Sequence, residues 1–361
     1  MYQTDQELQL QPTIEFEYED NVNIHKDTFG AGISVLTIGD PHFKIDNLDD
    51  IAVYISRIES LIKNAKPNFT VILGDLLHCH ERLHTTVLNK AYQFINRIRK
   101  HSPIYVLIGN HDYINNSQFL SDNHWMNAMK EWENVFIVDK GMVSNTPFGK
   151  FIFCPYVFPG KFSEALDIID ADWKEARAIF CHQEFYGCKM GSIVSVEGDK
   201  WEVQLPFIIS GHVHDKQRIQ DNIFYTGSSI QHAFGESHDK TISLCHFNNN
   251  IIIESIDLQL PRKKIIYMDM DKIMTFTPQR NTDQLRITLS GSYEEFKLFR
   301  KSKKYKELIQ KNIKIVYRLN TTDVDNPNPH VTIENFYDIL YQLVKTENNS
   351  KILELYNSIR D

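Results

Sequence analysis

Carboxylate, amide and imidazole side chains recur in this chain in five short motifs whose order and number suit a pair of metal ions. They are Asp40-Pro41-His42, Gly74-Asp75, Gly109-Asn110-His111-Asp112, Cys181-His182 and Gly211-His212-Val213-His214. The chemistry such a donor set serves is phosphoester hydrolysis. That reaction needs a nucleophile, charge neutralisation on the phosphoryl oxygens and a proton for the leaving group, and two divalent ions about 3.5–4 Å apart supply the first two. One carboxylate must bridge the ions against their repulsion. Asp75 is the expected bridge, because Gly74 lets the backbone pass close to the site. Asp40, His42 and His214 are expected to complete one ion, and Asn110, His182 and His212 the other. Mixed imidazole and carboxylate ligation suits manganese, iron or zinc better than calcium. His111 directly follows a ligand and is expected to contact phosphate or protonate the leaving alkoxide, with Asp112 orienting its ring. His78, three residues past Asp75, is a candidate second phosphate contact. His80, His84, His101 and His124 read as ordinary polar residues.

Each motif follows a run of β-formers: Ile33 to Ile38, Phe69 to Leu73, Ile104 to Ile108, Ala178 to Phe180 and Phe207 to Ile209. The ligands therefore belong where strands run into loops, the edge at which open α/β sheets bind ligands. Between the strands, Ile51, Ile55, Ile58 and Ile62 predict a helix over 49–65, and Leu88, Tyr92, Ile95 and Ile98 another over 88–98. Alternating strands and helices predict a layered α/β domain over 31–258. Residues 223–257 read as short strands of a second sheet packed on the first. A smaller domain is expected over 259–322. There Leu285 to Leu289 and Lys314 to Leu319 read as strands around a helix that Ser292 and Glu295 open with a capping-box spelling. That helix is expected to carry Lys297, Lys301 and Lys304 on one face. Residues 1–30 read as an extension, and 323–361 as two amphipathic helices over 331–345 and 351–360.

With 42% hydrophobic and 24% charged residues over 361 positions, the composition is that of a globular protein with room for one large core and a smaller domain. No apolar run approaches the roughly 18 residues of a membrane span. Five cysteines without CxxC spacing, and a polar start from Met1 to Leu10, predict an intracellular protein with reduced thiols. The net charge of −8 is uneven: residues 1–30 carry −6, whereas 261–320 carry fifteen Lys and Arg against six acids, a net +9.

Taken together, the five motifs resemble those of the calcineurin-like metallophosphoesterase superfamily, spelled D-x-H, G-D, G-N-H-D/E, H and G-H-x-H. The likeness covers roughly residues 33–245. It implies a four-layer α/β/β/α sandwich, with a small β-α-β capping domain and C-terminal helices, and a dinuclear site usually active with manganese. Gly74-Asp75-Leu76-Leu77-His78 is similar to the G-D-L-F-H of the SbcD/Mre-type DNA repair nucleases, whose second histidine contacts phosphate. Tyr225-Thr226-Gly227-Ser228-Ser229 leading to Phe234-Gly235-Glu236 resembles their Y-P-G-S…F-x-E segment. The basic unit at 261–320 sits where those nucleases carry a DNA-capping domain. Phe43 departs from the glycine that many of them have after the first histidine. The stretch Gly187 to Trp201 looks more like phage and large-virus members.

The resemblance thus implies a manganese-dependent DNA exo/endonuclease acting at DNA ends. Its partners would be DNA and an SMC-like ATPase of the SbcC/Rad type docked on the terminal helices, with a homodimer typical of the group. The alternative is a phosphoesterase for small phosphoesters or phosphoproteins, which leaves the basic segment without a role. A scaffold that only binds partners fits poorly, because all seven ligand positions and His111 are present.

Overall fold

In the computed structural model, residues 32–80, 82–278, 283–319 and Val344 are described. The expected extension over 1–30 and, Val344 apart, the expected C-terminal helices lie outside the described residues. The chain divides into two compact units, one holding residues up to His232 together with Asp239–Leu260, the other holding Ala233–His238 and the chain from Pro261.

The strands of the larger unit are, in chain order, β1 (Ile33–Ile38), β2 (Phe69–Ile72), β3 (Ile104–Leu107), β4 (Val135–Val138), β5 (Met142–Thr146), β6 (Gly149–Cys154), β7 (Ala178–Cys181), β8 (Lys189–Met190), β9 (Ile193–Val194), β10 (Phe207–Ser210), β11 (Gln217–Gln220), β12 (Ile223–Tyr225), β13 (Ile242–Phe247) and β14 (Ile251–Ile256). One sheet has the order β14-β13-β1-β2-β3-β4 and the other β11-β12-β10-β7-β6-β5, while β8 and β9 form a small ribbon. The central strands are parallel and buried on both faces, so they read as continuous apolar runs. In β1, Val35 joins a core between the two sheets with Phe69, Val71, Phe151, Phe153 and Phe180. Its alternate residues Leu36 and Ile38 face the opposite way, onto helices α1 (Leu48–Ala65) and α2 (Thr85–Ile98). On the far side of the second sheet, Ile179 and Ile208 pack with Phe162, Leu166, Trp173 and Trp201, the first two of which lie on helix α3 (Phe162–Ile169). Helices, two sheets and a helix give the expected four layers.

The allocation of strands over 223–257 differs from the expectation. Only β12 enters the second sheet. β13 pairs antiparallel with β1, Val35 opposite Cys245, and β14 follows it, so both return to the first sheet. Alternation marks a strand but not its partner, and the partner here lies about two hundred residues away in the chain.

The loop after β4 rests on a polar cluster. Asp139 accepts from buried His124 at 3.1 Å and from Lys130 at 2.6 Å, and Tyr113 OH reaches the Asp139 carbonyl at 3.5 Å. His124, read from sequence as an ordinary polar residue, is thus a buried anchor behind the Asn110–Tyr113 loop. Burial opposes charge on Asp139, but these two partners outweigh it and hold its pKa at about 2. Because the folded value is depressed, the stabilisation is present above the unfolded carboxylate range and lost as pH falls toward 2. Asp139→Asn is expected to cost about 1 kcal/mol near neutral pH, allowing for solvent screening. Denaturant melts should show that deficit closing as pH drops from about 4 to about 2. A deficit constant over that window would rule out the ion pairs as its source.

The second unit builds a parallel sheet from β15 (Lys263–Asp269), β16 (Gln284–Gly291) and β17 (Lys314–Leu319), in that order, with helices α4 (Met270–Ile273), α5 (Tyr293–Arg300) and α6 (Lys303–Gln310). The Ser292–Glu295 capping box forms as read. The single helix does not. Ser302 caps a new helix by accepting from Tyr305 N at 3.0 Å, so Lys301 ends α5 and Lys304 belongs to α6. Lys304 is largely covered and pairs with Glu307 at 3.2 Å, which corrects the expected continuous face of Lys297, Lys301 and Lys304.

Candidate metal centre

Four of the expected ligands sit in a backbone region that L-residues avoid. Asp40, His42, Asp75 and His212 have φ of 44°, 42°, 52° and 76°. Each such residue costs about 1–3 kcal/mol and persists only where its surroundings enforce it. Here the two loops continue the pairing of β1 with β2: His42 N donates to Asp75 O at 2.9 Å and Phe43 N to Leu76 O at 2.8 Å. Gly74, at φ 99°, is where a Cβ would lie 2.5 Å from His182 Nδ1, so the close passage read from sequence is real.

The structure brings all seven expected ligands together, in two sets joined by Asp75. Asp75 Oδ2 lies 3.4 Å from His42 Nε2, and Oδ1 lies 3.5 Å from His182 Nε2. On the first side, His42 Nε2 and His214 Nε2 are 3.1 Å apart, and Asp40 Oδ1 accepts from His212 N at 2.9 Å. On the second, Asn110 Oδ1 is 3.0 Å from both His182 Nε2 and His212 Nδ1. His182 Nδ1 donates to Leu73 O at 2.6 Å, which turns Nε2 toward the cluster and fixes the ring as metal-binding histidines usually require.

Three observations show that these residues fit divalent ions. Asp40 Oδ2 is buried and has no hydrogen-bond partner, a costly state for a carboxylate oxygen. One ligand atom each from Asp40, Asp75 and His182 falls within 4.8 Å of the others. The charge balance also needs a cation. Burial opposes charge on His182, yet the Asp75 and Asp40 carboxylates raise its pKa to about 9. Burial likewise opposes charge on Asp75, but His182 holds its carboxyl well below the usual range, while burial pushes Asp40 up. A proton on His182 thus supplies positive charge that ions would otherwise bring, and metal uptake must release it.

His111 stands beside the first set, its ring centroid 4.9 Å from that of His42. Its main-chain N–H donates to Asp75 Oδ1 at 2.9 Å, and its Nδ1 donates to His78 O at 2.8 Å. That commits Nδ1 to the scaffold and leaves Nε2 as the other ring nitrogen. The His78 carbonyl, not Asp112, therefore orients the ring. Asp112 accepts from Gly109 N, Leu76 N, Leu77 N and Trp125 Nε1 at 3.1–3.3 Å, tying the second and third motif loops together. Burial and then the Asp75 charge raise its pKa to about 7. His78 also faces the site, with Nδ1 3.4 Å from His42 Nδ1 and its ring nearly parallel to His111 at 5.6 Å.

Three nearby residues were not singled out from sequence. His80 stacks on His111 at 4.5 Å. His232 donates from Nε2 to the Asp40 carbonyl at 2.9 Å, and one of its ligand atoms falls within 4.8 Å of those of His42 and His214. Glu184 places Oε2 3.9 Å from His212 Nε2, the nitrogen turned away from Asn110. Its other oxygen accepts from Ser195 in the Gly187–Trp201 stretch. Local sequence marks none of these, because each acts across the fold.

The comparisons agree with this geometry. The family model of calcineurin-like phosphoesterases matches residues 33–216. Two viral proteins, both named as phosphoesterases, are close relatives. Protein 244L of Invertebrate iridescent virus 6 is 49% identical over 74% of this chain and 98% of its own length. Protein 078R of Invertebrate iridescent virus 3 is 41% identical over 90% of this chain and 96% of its own. Among solved structures, the phosphoesterase Yfce of E. coli aligns at TM-score 0.31 and 13% identity over 63% of this chain and all of its own, too distant to inform the site. Among the described residues no helix is long and apolar enough to cross a membrane. With the ligand loops of two largely parallel sheets converging on one dinuclear donor set, the chain belongs to the calcineurin-like phosphoesterases, metal-dependent hydrolases of phosphoester bonds.

Proposed function

We propose that this chain is a manganese-dependent DNA exo/endonuclease of the SbcD/Mre type, acting inside the cell at DNA ends with an SMC-like ATPase. The observation that carries the reading is the pair of parallel imidazoles, His78 and His111, 5.6 Å apart beside His42. The histidine that ends Gly-Asp-Leu-Leu-His is thus a side chain of the site rather than of a distant loop. Two divalent ions held by the seven ligands would polarise the phosphoryl oxygens and lower the pKa of water. His111 Nε2 would protonate the leaving sugar oxygen, while His78 would bind a phosphoryl oxygen. The +9 segment supports the choice of DNA, since exposed Lys297 and Lys301 suit contact with backbone phosphates without base preference.

End-labelled linear duplex with manganese tests this, beside a small phosphodiester, with Asp75→Ala as the blank. The reading expects loss of duplex in the active protein alone, weakening steeply with salt. Turnover of the small ester with intact duplex, both without and with an SMC-like ATPase and ATP, would replace it by a general phosphoesterase.

A further inference from the structure

Next to the ligand segments lies a cavity that the catalytic assignment does not use. It has a volume of about 350 Å³, with walls from Phe43, Leu77, Leu83 and Val87 and with Lys44 and Arg82 among its lining. Phe43 directly follows the ligand His42, and Leu77 directly precedes His78. The two segments are held side by side, Phe43 N donating to Leu76 O and His78 N to Phe43 O at 3.2 Å. The same pair of segments supplies His42 and His78 to the metal centre and lines the cavity with Phe43 and Leu77. Lys44 belongs to both sides: it lines the cavity, and its Nζ donates to the main-chain oxygen of His232, whose ring lies beside His42 and His214, at 3.3 Å.

We infer that this cavity receives a base of the substrate, so that the enzyme selects nucleotides rather than phosphoproteins or simple phosphoesters. The inference rests on the proposed action on nucleic acid. Its grounds are size, lining and charge. Ligand pockets of about 300–1,000 Å³ are mostly apolar with a few placed polar groups, and one planar base fits the lower end of that range. The cations Lys44 and Arg82 complement the phosphate that joins the base to the metal centre. A phosphoserine or an alkyl phosphate offers nothing planar to fill the space. Phe43 takes part indirectly: its ring is buried against Tyr54 and Phe94 and forms the floor, where a glycine would leave the cavity deeper.

Cys79 provides a readout that does not depend on turnover. It lines the cavity and is exposed, whereas the other four cysteines are buried. The rate of its alkylation by a maleimide is to be measured on the full chain with manganese. Deoxyadenosine or thymidine 5′-monophosphate at ten times its dissociation constant should slow the reaction roughly tenfold. Deoxyribose 5-phosphate and inorganic phosphate should leave the rate unchanged. Ile45→Glu, at an exposed position on the cavity wall, should abolish protection by the nucleotides, and Val87→Trp should do so by filling the space. Equal protection by deoxyribose 5-phosphate, or none by either nucleotide, would overturn the base site. Duplex cleavage is scored separately. Base-dependent protection without cleavage would keep the cavity and remove the nuclease, and cleavage without base-dependent protection would do the reverse.

Discussion

Asp75→Ala is expected to abolish binding of both ions and lower phosphoester hydrolysis by roughly 10³-fold or more, since the ions contribute several kcal/mol of charge stabilisation. The geometry explains why one residue has so large an effect. Its two carboxylate oxygens address His42 and His182, one from each ligand set, so no other side chain substitutes for it. Its Oδ1 also accepts from His111 N, which locks the third motif against the second. Metal content after gel filtration is the direct measurement, with two ions in the wild type and none in the variant. Thermal melts supply a second. The wild type should gain about 5 °C with manganese well above its dissociation constant, and the variant nothing. Metal-free protein should respond differently. There Asp40 and Asp75 are buried carboxylates that repel each other, and Asp75 balances the proton on His182. Removing Asp75 relieves one and exposes the other, so the metal-free melting temperatures should differ little. A variant that still bound one ion tightly would show that the sets are independent and that Asp75 is not a bridge.

How much of this was legible depended on the range over which each residue acts. The ligands could be read because chemistry restricts them to few residue types and the sheet places them at strand ends, within one or two residues of an apolar run. Gly74 could be read because its effect is local, a backbone that must pass His182. Helix 48–65 followed from the spacing of Ile51, Ile55, Ile58 and Ile62. The return of β13 to the first sheet could not, since the pairing of Val35 with Cys245 leaves no mark near either residue. Asp112 misled for a similar reason. Its neighbour in sequence is His111, but its hydrogen-bond donors come from two other segments, Leu76–Leu77 and Trp125, as well as Gly109. The break at Ser302 was readable in principle, being a second serine cap. The i, i+4, i+7 spacing of Lys297, Lys301 and Lys304 continued across it and concealed the stop.

Strain at the ligand positions links fold to function. Four left-handed residues in one cluster would be a liability in a core selected for stability alone. They are held because the loops are paired to each other and anchored below by Asp112 and by the Asp139 cluster. The rigid scaffold fixes the donors, and the apolar wall next to them leaves space that the ligands do not need.

His111→Ala is expected to retain both ions and lose turnover, by about 10²–10⁴-fold if the ring acts as a general acid. Retention follows from the main chain: the bond from His111 N to Asp75 Oδ1 survives loss of the imidazole, so the metal ligands keep their support. Loss of turnover follows from the side chain. Nδ1 is committed to the His78 carbonyl, which leaves Nε2 as the nitrogen that can meet a leaving group. The two roles open to that nitrogen separate by substrate. A general acid matters most where the leaving oxygen is a poor one, as in the sugar alkoxide of DNA, and little where it is a nitrophenolate. Comparing kcat on both substrates should therefore show a large loss on DNA and a small one on the nitrophenyl ester. A residue that only bound phosphate would lower both by the same factor, chiefly through KM. His78→Ala provides the control, because a phosphate contact should give that second pattern. Equal losses for both substrates in His111→Ala would transfer the proton to another donor, and the nearest ring is that of His80, stacked on His111 at 4.5 Å.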